Sequence, residues 1–292
     1  MTTLDASVAA RSGAPRSRRF ASTFSPVGPG LVLAWLVVVV VVAWAVVPWL
    51  FTGFSGTVGV PRDKLLPPSA EHWLGTDELG RDLYARIVYG AVNSLAGAFV
   101  AVTVGLVLGT TLGLLAGSIG GVVDAIIGRI VDVLLSIPGL LLSLSIIILL
   151  GFGTINAAIA VGITSVASFA RLSRAEVVRV RGSDYVEAAF GSGGRFGGVL
   201  LRHVLPNSVG PVLALTALQF GTAIIAISTL GFLGYGAPPP TPEWGLLIAE
   251  GRNYIATAWW ITTFPGVVVV LIVLSANRIS RSIGGASRRR TR

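Results

Sequence analysis

Between Phe20 and Pro61 the chain carries no charged side chain, and residues 87–123 carry none either. The centre of the first stretch, Leu31 to Phe51, is 21 residues of mostly Val, Leu, Ala and Trp. At about 1.5 Å per helical residue it crosses a hydrocarbon core of about 30 Å. Backbone polar groups inside lipid must be paired within the chain, so such stretches form helices. Of the 292 residues, 53% are hydrophobic and only 12% charged, about half the charge content of an average soluble domain. A globule of this size could not cover itself with polar surface. The chain is expected to be an integral membrane protein, all-α and polytopic.

The remaining composition excludes several chemistries. There is no Cys, which removes disulfides, thiolate metal sites and Cys nucleophiles. The two histidines, His72 and His203, lie far apart and outside any H-E-x-x-H. The single lysine, Lys64, precedes Leu65. A G-x-x-x-x-G-K-[ST] phosphate loop therefore cannot be built here. No catalytic residue, metal or bound cofactor is expected of this chain.

Six spans are expected: 31–51, 95–116, 122–150, 155–170, 209–233 and 259–276. Ala43-Trp44-Ala45 resembles a signal-peptidase site, but the apolar run continues past it, and the segment is expected to stay as a span. Basic residues set the orientation. Arg11, Arg16, Arg18 and Arg19 precede the first span. Arg171, Arg174, Arg179, Arg181, Arg195 and Arg202 lie between the fourth and fifth. Six arginines from Arg278 to Arg292 follow the sixth, and Arg129 lies near the turn before the third. Seventeen of the 22 basic residues thus share one side. Both termini are expected in the cytoplasm of a multi-pass cell-membrane protein. The +9 net charge is then an orientation signal rather than a nucleic-acid footprint. Residues 1–29 read as a cytoplasmic tail, 30–52 as the first helix and 53–90 as an extracytoplasmic segment. Residues 91–280 read as the main transmembrane domain, with a cytoplasmic loop at 171–206, and 281–292 as a basic tail.

Gly105, Gly109, Gly113 and Gly117 repeat every fourth residue and share one helical face. Such a stripe admits a second backbone closely, within the bundle or in a partner subunit. Arg129 and Asp132, three apart, can pair on one face, with Asp124 nearer the interface; the three are structural charges or part of a gate. Polar side chains within the spans are few and uncharged. Gln219, Thr216 and Thr222 are candidates to face a solute path. No acid lies in the middle of a span, which argues against an ion-coupled secondary transporter. In the outer segment, Thr76 is placed to cap a helix opening with Asp77 and Glu78. Arg86 stands one turn beyond Asp82. Acids interleaved with arginines point to a folded element rather than a cation cage.

The loop from Arg171 to Pro206 is the most specific segment. Ser183 can cap a helix from Asp184 to Phe190, ending near Gly191 or Gly193. A second short helix, 196–204, is expected to stop before Pro206. Glu187-Ala188-Ala189, then Gly193, then Leu205-Pro206 twelve residues later resembles the EAA loop of ABC importer permeases. Gly75-Thr76-Asp77-Glu78-Leu79-Gly80-Arg81-Asp82, Pro239-Pro240-Thr241-Pro242-Glu243-Trp244-Gly245 and Trp259-Trp260 with Phe264-Pro265-Gly266 resemble segments of the dipeptide/oligopeptide branch. Together they match its DppC/OppC-type C subunit, a binding-protein-dependent inner-membrane component. The tail after Asn277 lacks that branch's acidic ending, and Gly191, Gly194, Gly197 and Gly198 make the loop unusually Gly-rich.

The resemblance implies a type I ABC importer permease fold. It implies a path for di- or oligopeptides, shared with a homologous second permease and supplied by an extracytoplasmic binding protein. It also implies two ATPase subunits, carrying ATP and Mg²⁺, docked on the loop through Glu187, Ala188, Ala189, Gly193, Leu205 and Pro206. Nickel chelates or glutathione remain alternative substrates. A secondary transporter or membrane scaffold is the alternative from another class.

Overall fold

In a computed structural model the chain is helical throughout its membrane part. The structure describes residues 29–290, and for residues 285–290 the backbone alone. The N-terminal tail and Arg292 lie outside the described residues. Ten α-helices follow in order: α1 (Pro29–Val46), α2 (Leu83–Ile119), α3 (Gly121–Ser136), α4 (Gly139–Leu150), α5 (Thr154–Arg181), α6 (Asp184–Gly191), α7 (Phe196–Val199), α8 (Leu205–Phe232), α9 (Trp244–Gly251) and α10 (Trp260–Arg290). Among the described residues, five stretches are long and apolar enough to cross a membrane, and the bent pair α3–α4, counted as one span, makes six.

The third span departs from the single helix expected at 122–150. It breaks at Ile137–Pro138, and α3 and α4 meet at 97°. Pro138 lacks an N–H, and its ring forces the preceding residue out of the helical region; Ile137 sits at φ −91°, ψ 129°. Other spans run longer than expected. α2 starts at Leu83 because Asp82 accepts the Ala85 N–H at 2.7 Å. α5 continues through Arg181, so the first part of the 171–206 loop is an extension of a span.

The centre of the bundle is α2 against α5. The glycine stripe of α2 faces α5. A β-carbon on Gly109 would stand 2.5 Å from the Val166 carbonyl, one on Gly113 2.5 Å from that of Ala170, and one on Gly117 2.9 Å from Val177. On Gly105 it would enter the Ser165 hydroxyl. Lipid offers little hydrophobic drive between helices, so close backbone packing holds this pair. α8 packs on α5 and α2, α10 on α8, and α1 on α10 and α2. The buried core runs through Leu83, Ile87, Phe169, Ile224, Ile227, Trp244 and Ile261.

Residues 61–82 pack against the N-terminal ends of α2 and α10. The helix expected from Asp77 does not form. The Asp77 carboxylate accepts from the N–H groups of Leu79 and Arg81 and closes a tight turn. Thr76 pairs with Asp82 across it, and its hydroxyl donates to the Asp63 carbonyl at 2.5 Å. Arg86 bonds Asp77 at 2.7 Å rather than Asp82; Asp82 instead caps α2 and meets His72 Nδ1 at 2.9 Å. Arg81 joins Asp77 to Glu78. Burial raises the Glu78 carboxyl above its ordinary value. Asp77, Glu78 and Glu250 bring carboxylate oxygens within 4.8 Å of one another, and two guanidiniums thread the same cluster.

Candidate functional site

At its C-terminal end, α5 turns at Gly182 into α6. Ser183 occupies the N-cap position, yet its hydroxyl donates back to the Val180 carbonyl at 2.5 Å instead of capping. The first turn gains its stabilisation from Asp184 and Glu187, whose charges suit the positive end of a helix. α6 closes where the Gly193 N–H meets the Phe190 carbonyl and the Gly194 N–H that of Ala189. Gly193 sits at φ +85° with open space around it, so its demand is conformational. Gly194 is fixed by packing: a β-carbon there would lie 2.6 Å from the Ala189 carbonyl.

α6 is seated by its single buried residue, Val186, which joins Val177 and Val180 of α5 with Val199 and Val204 in a small valine cluster distinct from the main core. This leaves Glu187 and Ala188 exposed and Ala189 half-buried, with Tyr185 and Phe190 also exposed. The chain then runs helically from Phe196 through Leu205 and Pro206 into α8. The expected stop before Pro206 does not occur. A wide π-type turn over Leu200–Val204, with the Leu205 N–H bonded to the Leu200 carbonyl, shifts the register. Pro206 then falls in the first turn of α8, where its missing N–H costs nothing. The small helix is thereby linked to two long helices, α5 and α8.

Between α3, α4, α5 and α8 lies an open cavity of about 610 Å³. Its wall includes the elbow at Ile137–Pro138, Ser143, Ser165, Gln219 and Thr222. The wall is mostly apolar with scattered hydroxyls and carries no charged side chain. Thr222 lies within 3.1 Å of the Gln219 side-chain oxygen. Thr216 is not on this wall; its hydroxyl donates to the Val212 carbonyl at 2.9 Å.

The structural charges pair differently from the expectation. Asp132 meets Arg171 of α5 at 3.0 Å, not Arg129. Asp124 receives both Nε and Nη2 of Arg174. Arg129 has no ion pair among the described residues, although it borders the same groove. Interhelix partners win because α3 runs antiparallel to α5 and presents both acids to arginines three apart. The sequence shows the two acids and the two arginines, but only the packing of α3 on α5 brings them together. A second residue outside the expectation is Glu243. Its carboxylate, buried before α9, accepts from the Ala237 N–H at 2.8 Å and from the Thr154 hydroxyl at 3.3 Å. Burial, with no cation beside it, pushes its pKa up from 4.5. Only its place in the Pro-rich segment distinguished it in sequence.

The model of the family described as "Binding-protein-dependent transport system inner membrane component" matches residues 109–292. The chain is 41% identical to the dipeptide transport system permease protein DppC of Alkalihalophilus pseudofirmus, over 81% of this chain and 78% of that protein. It is 43% identical to the di/tripeptide transport system permease protein DppC of Pseudomonas aeruginosa, over 74% of each. To the glutathione transport system permease protein GsiD of Escherichia coli O1:K1 it is 38% identical, over 75% of this chain and 72% of that one. Among solved structures, the MetNI methionine ABC transporter in an inward-facing form superposes with a TM-score of 0.55 at 20% identity, covering 69% of this chain and 97% of that one; this likeness shows the fold. The apolar spans, the EAA spacing on an exposed helix and these relationships converge: the chain belongs to the binding-protein-dependent transport system inner membrane component family and is a multi-pass permease subunit of an ABC importer.

Proposed function

We propose that this subunit forms, with a homologous second permease, the path by which di- or oligopeptides delivered by an extracytoplasmic binding protein enter the cell. Two partner ATPase subunits, which hold the ATP and Mg²⁺, dock on α6. The observation that carries this reading is α6 itself. It is a short helix on a small valine cluster, with Glu187 and Ala188 exposed, joined to two spans. A short exposed helix of this kind suits insertion into a groove on another protein. The lone Lys64 follows an outer 3-10 turn, away from any glycine-rich loop. ATP turnover is accordingly assigned to partners. Relatives named for dipeptides and di/tripeptides support the peptide reading.

A second reading, glutathione, rests on the relative named for it. Glutathione is itself a tripeptide, and the cavity's uncharged hydroxyls do not discriminate against it. The test is uptake by a strain deleted for this gene and supplied with a dipeptide, glutathione or a nickel chelate as sole source. Loss of dipeptide uptake, restored by the intact gene, is expected. Loss confined to glutathione or nickel overturns the peptide assignment.

A further inference from the structure

Two ion pairs join α5, which leads into the docking helix, to α3, which ends at the cavity wall, and neither the path nor the docking surface uses them. Arg174 grips Asp124 with two nitrogens, and Arg171 reaches Asp132. Both arginines stand on the last turns of α5, the helix that leads through Gly182 into α6. Both acids stand on α3, whose far end is the elbow at Ile137–Pro138 in the cavity wall. Beneath the pairs Val131 packs with Ala167 and Ala170 in a separate apolar cluster.

α3 has a break at each end. Gly120 and Gly121 join it to α2 at φ +74° and +57°, with nothing crowding either residue. The proline elbow separates it from α4. A stiff helix between two such breaks follows whatever it is fastened to, and the ion pairs fasten it to α5. Both pairs are at least partly solvent-exposed, so each alone is weak and salt-screened. Two pairs on the same two helices, one of them bidentate, fix the relative position better than either alone.

We propose that Asp124–Arg174 and Asp132–Arg171 form a strut that makes α3 and the inner half of α5 move as one body. Displacement of α6 by a partner ATPase then reaches the cavity elbow at Ile137–Pro138. The proposal rests on the docking role of α6, and these four residues are positioning residues.

The test uses the assembled complex reconstituted in lipid vesicles. Asp124→Arg and Arg174→Asp are made singly and together. Cysteines replacing Val133 of α3 and Val178 of α5, 60% and 50% exposed, carry nitroxides on this Cys-free chain. The strut requires the nitroxide separation to be the same in the nucleotide-free and ATP–vanadate-trapped states of the unaltered complex. Each single swap should make it nucleotide-dependent and lower the stimulation of ATPase by loaded binding protein roughly fivefold or more; the double swap should recover both. A separation that changes in the unaltered complex, single swaps that keep full stimulation, or a double swap that assembles without recovery overturns the strut. Glu187→Arg is run in parallel with co-purification of the ATPase as its readout. If it keeps both ATPase and uptake, the docking role of α6 falls, while the nitroxide separation still decides the strut.

Discussion

Arg86 of α2 donates to Glu250 of α9 across 2.6 Å, with the guanidinium 0% exposed. The same nitrogen meets Asp77 at 2.7 Å, so one cation ties the outer segment, α2 and α9 together. Arg81 also reaches both acids, so removing Arg86 takes charge-assisted hydrogen bonds from them without stripping them of every cation, at a cost of about 1–3 kcal/mol. Arg86→Met is expected to lower stability by that order and to loosen the outer segment. Thermal unfolding in detergent, followed by tryptophan fluorescence, measures the first; protease sensitivity of residues 61–82 measures the second. An unchanged melting temperature would show that the pair contributes nothing.

The glycine stripe predicts a contrast between two substitutions. Gly113→Ala drives a methyl group against the Ala170 carbonyl, and overpacking of this kind costs about 1–3 kcal/mol. Gly128→Ala, in α3 with open space around it, is expected to be neutral or stabilising by up to about 1 kcal/mol. Equal effects of the two in the same unfolding assay would refute close packing of α2 on α5.

At the turn after α6, backbone conformation and packing can be separated. Gly193 has φ +85° and no near neighbour. Asn tolerates the left-handed region and Val does not. Gly193→Asn is expected to retain most uptake, whereas Gly193→Val abolishes it while the protein still inserts in the membrane. Glu187→Arg, on the exposed face of α6, should reduce uptake more weakly. Full uptake by the Val variant would rule out a need for positive φ at this turn.

Glu243 makes stability depend on pH. Its folded pKa is raised, mainly by burial, so folding favours the protonated acid. The stabilisation is complete below the unfolded value, near 4.5, and is lost as pH rises through the folded one. Glu243→Gln keeps an acceptor for the Ala237 N–H and removes the ionisation. The variant is expected to show a flatter fall in melting temperature between about pH 4 and pH 8 than the parent. Glu78 acts in the same direction, so some slope remains. A variant with an unaltered slope would exclude Glu243 as a source.

By itself the sequence determined that the chain is a helical membrane protein and which family it joins. Length, the absence of charge and residue spacing are local quantities, and lipid leaves a long apolar run few conformations other than helix. The place of α6 and its end near Gly193 were legible for the same reason: they depend on a few neighbouring residues. Tertiary structure decided which partners meet. Asp132 chose Arg171 over the nearby Arg129, Arg86 chose Asp77 and Glu250 over Asp82, and the glycine stripe received α5. Pro206 continued a helix that its own chemistry would end, because a wide turn upstream changed the register. The pairings depend on how segments distant in sequence are placed against one another, parallel for α2 on α5 and antiparallel for α3 on α5, which only the assembled bundle sets.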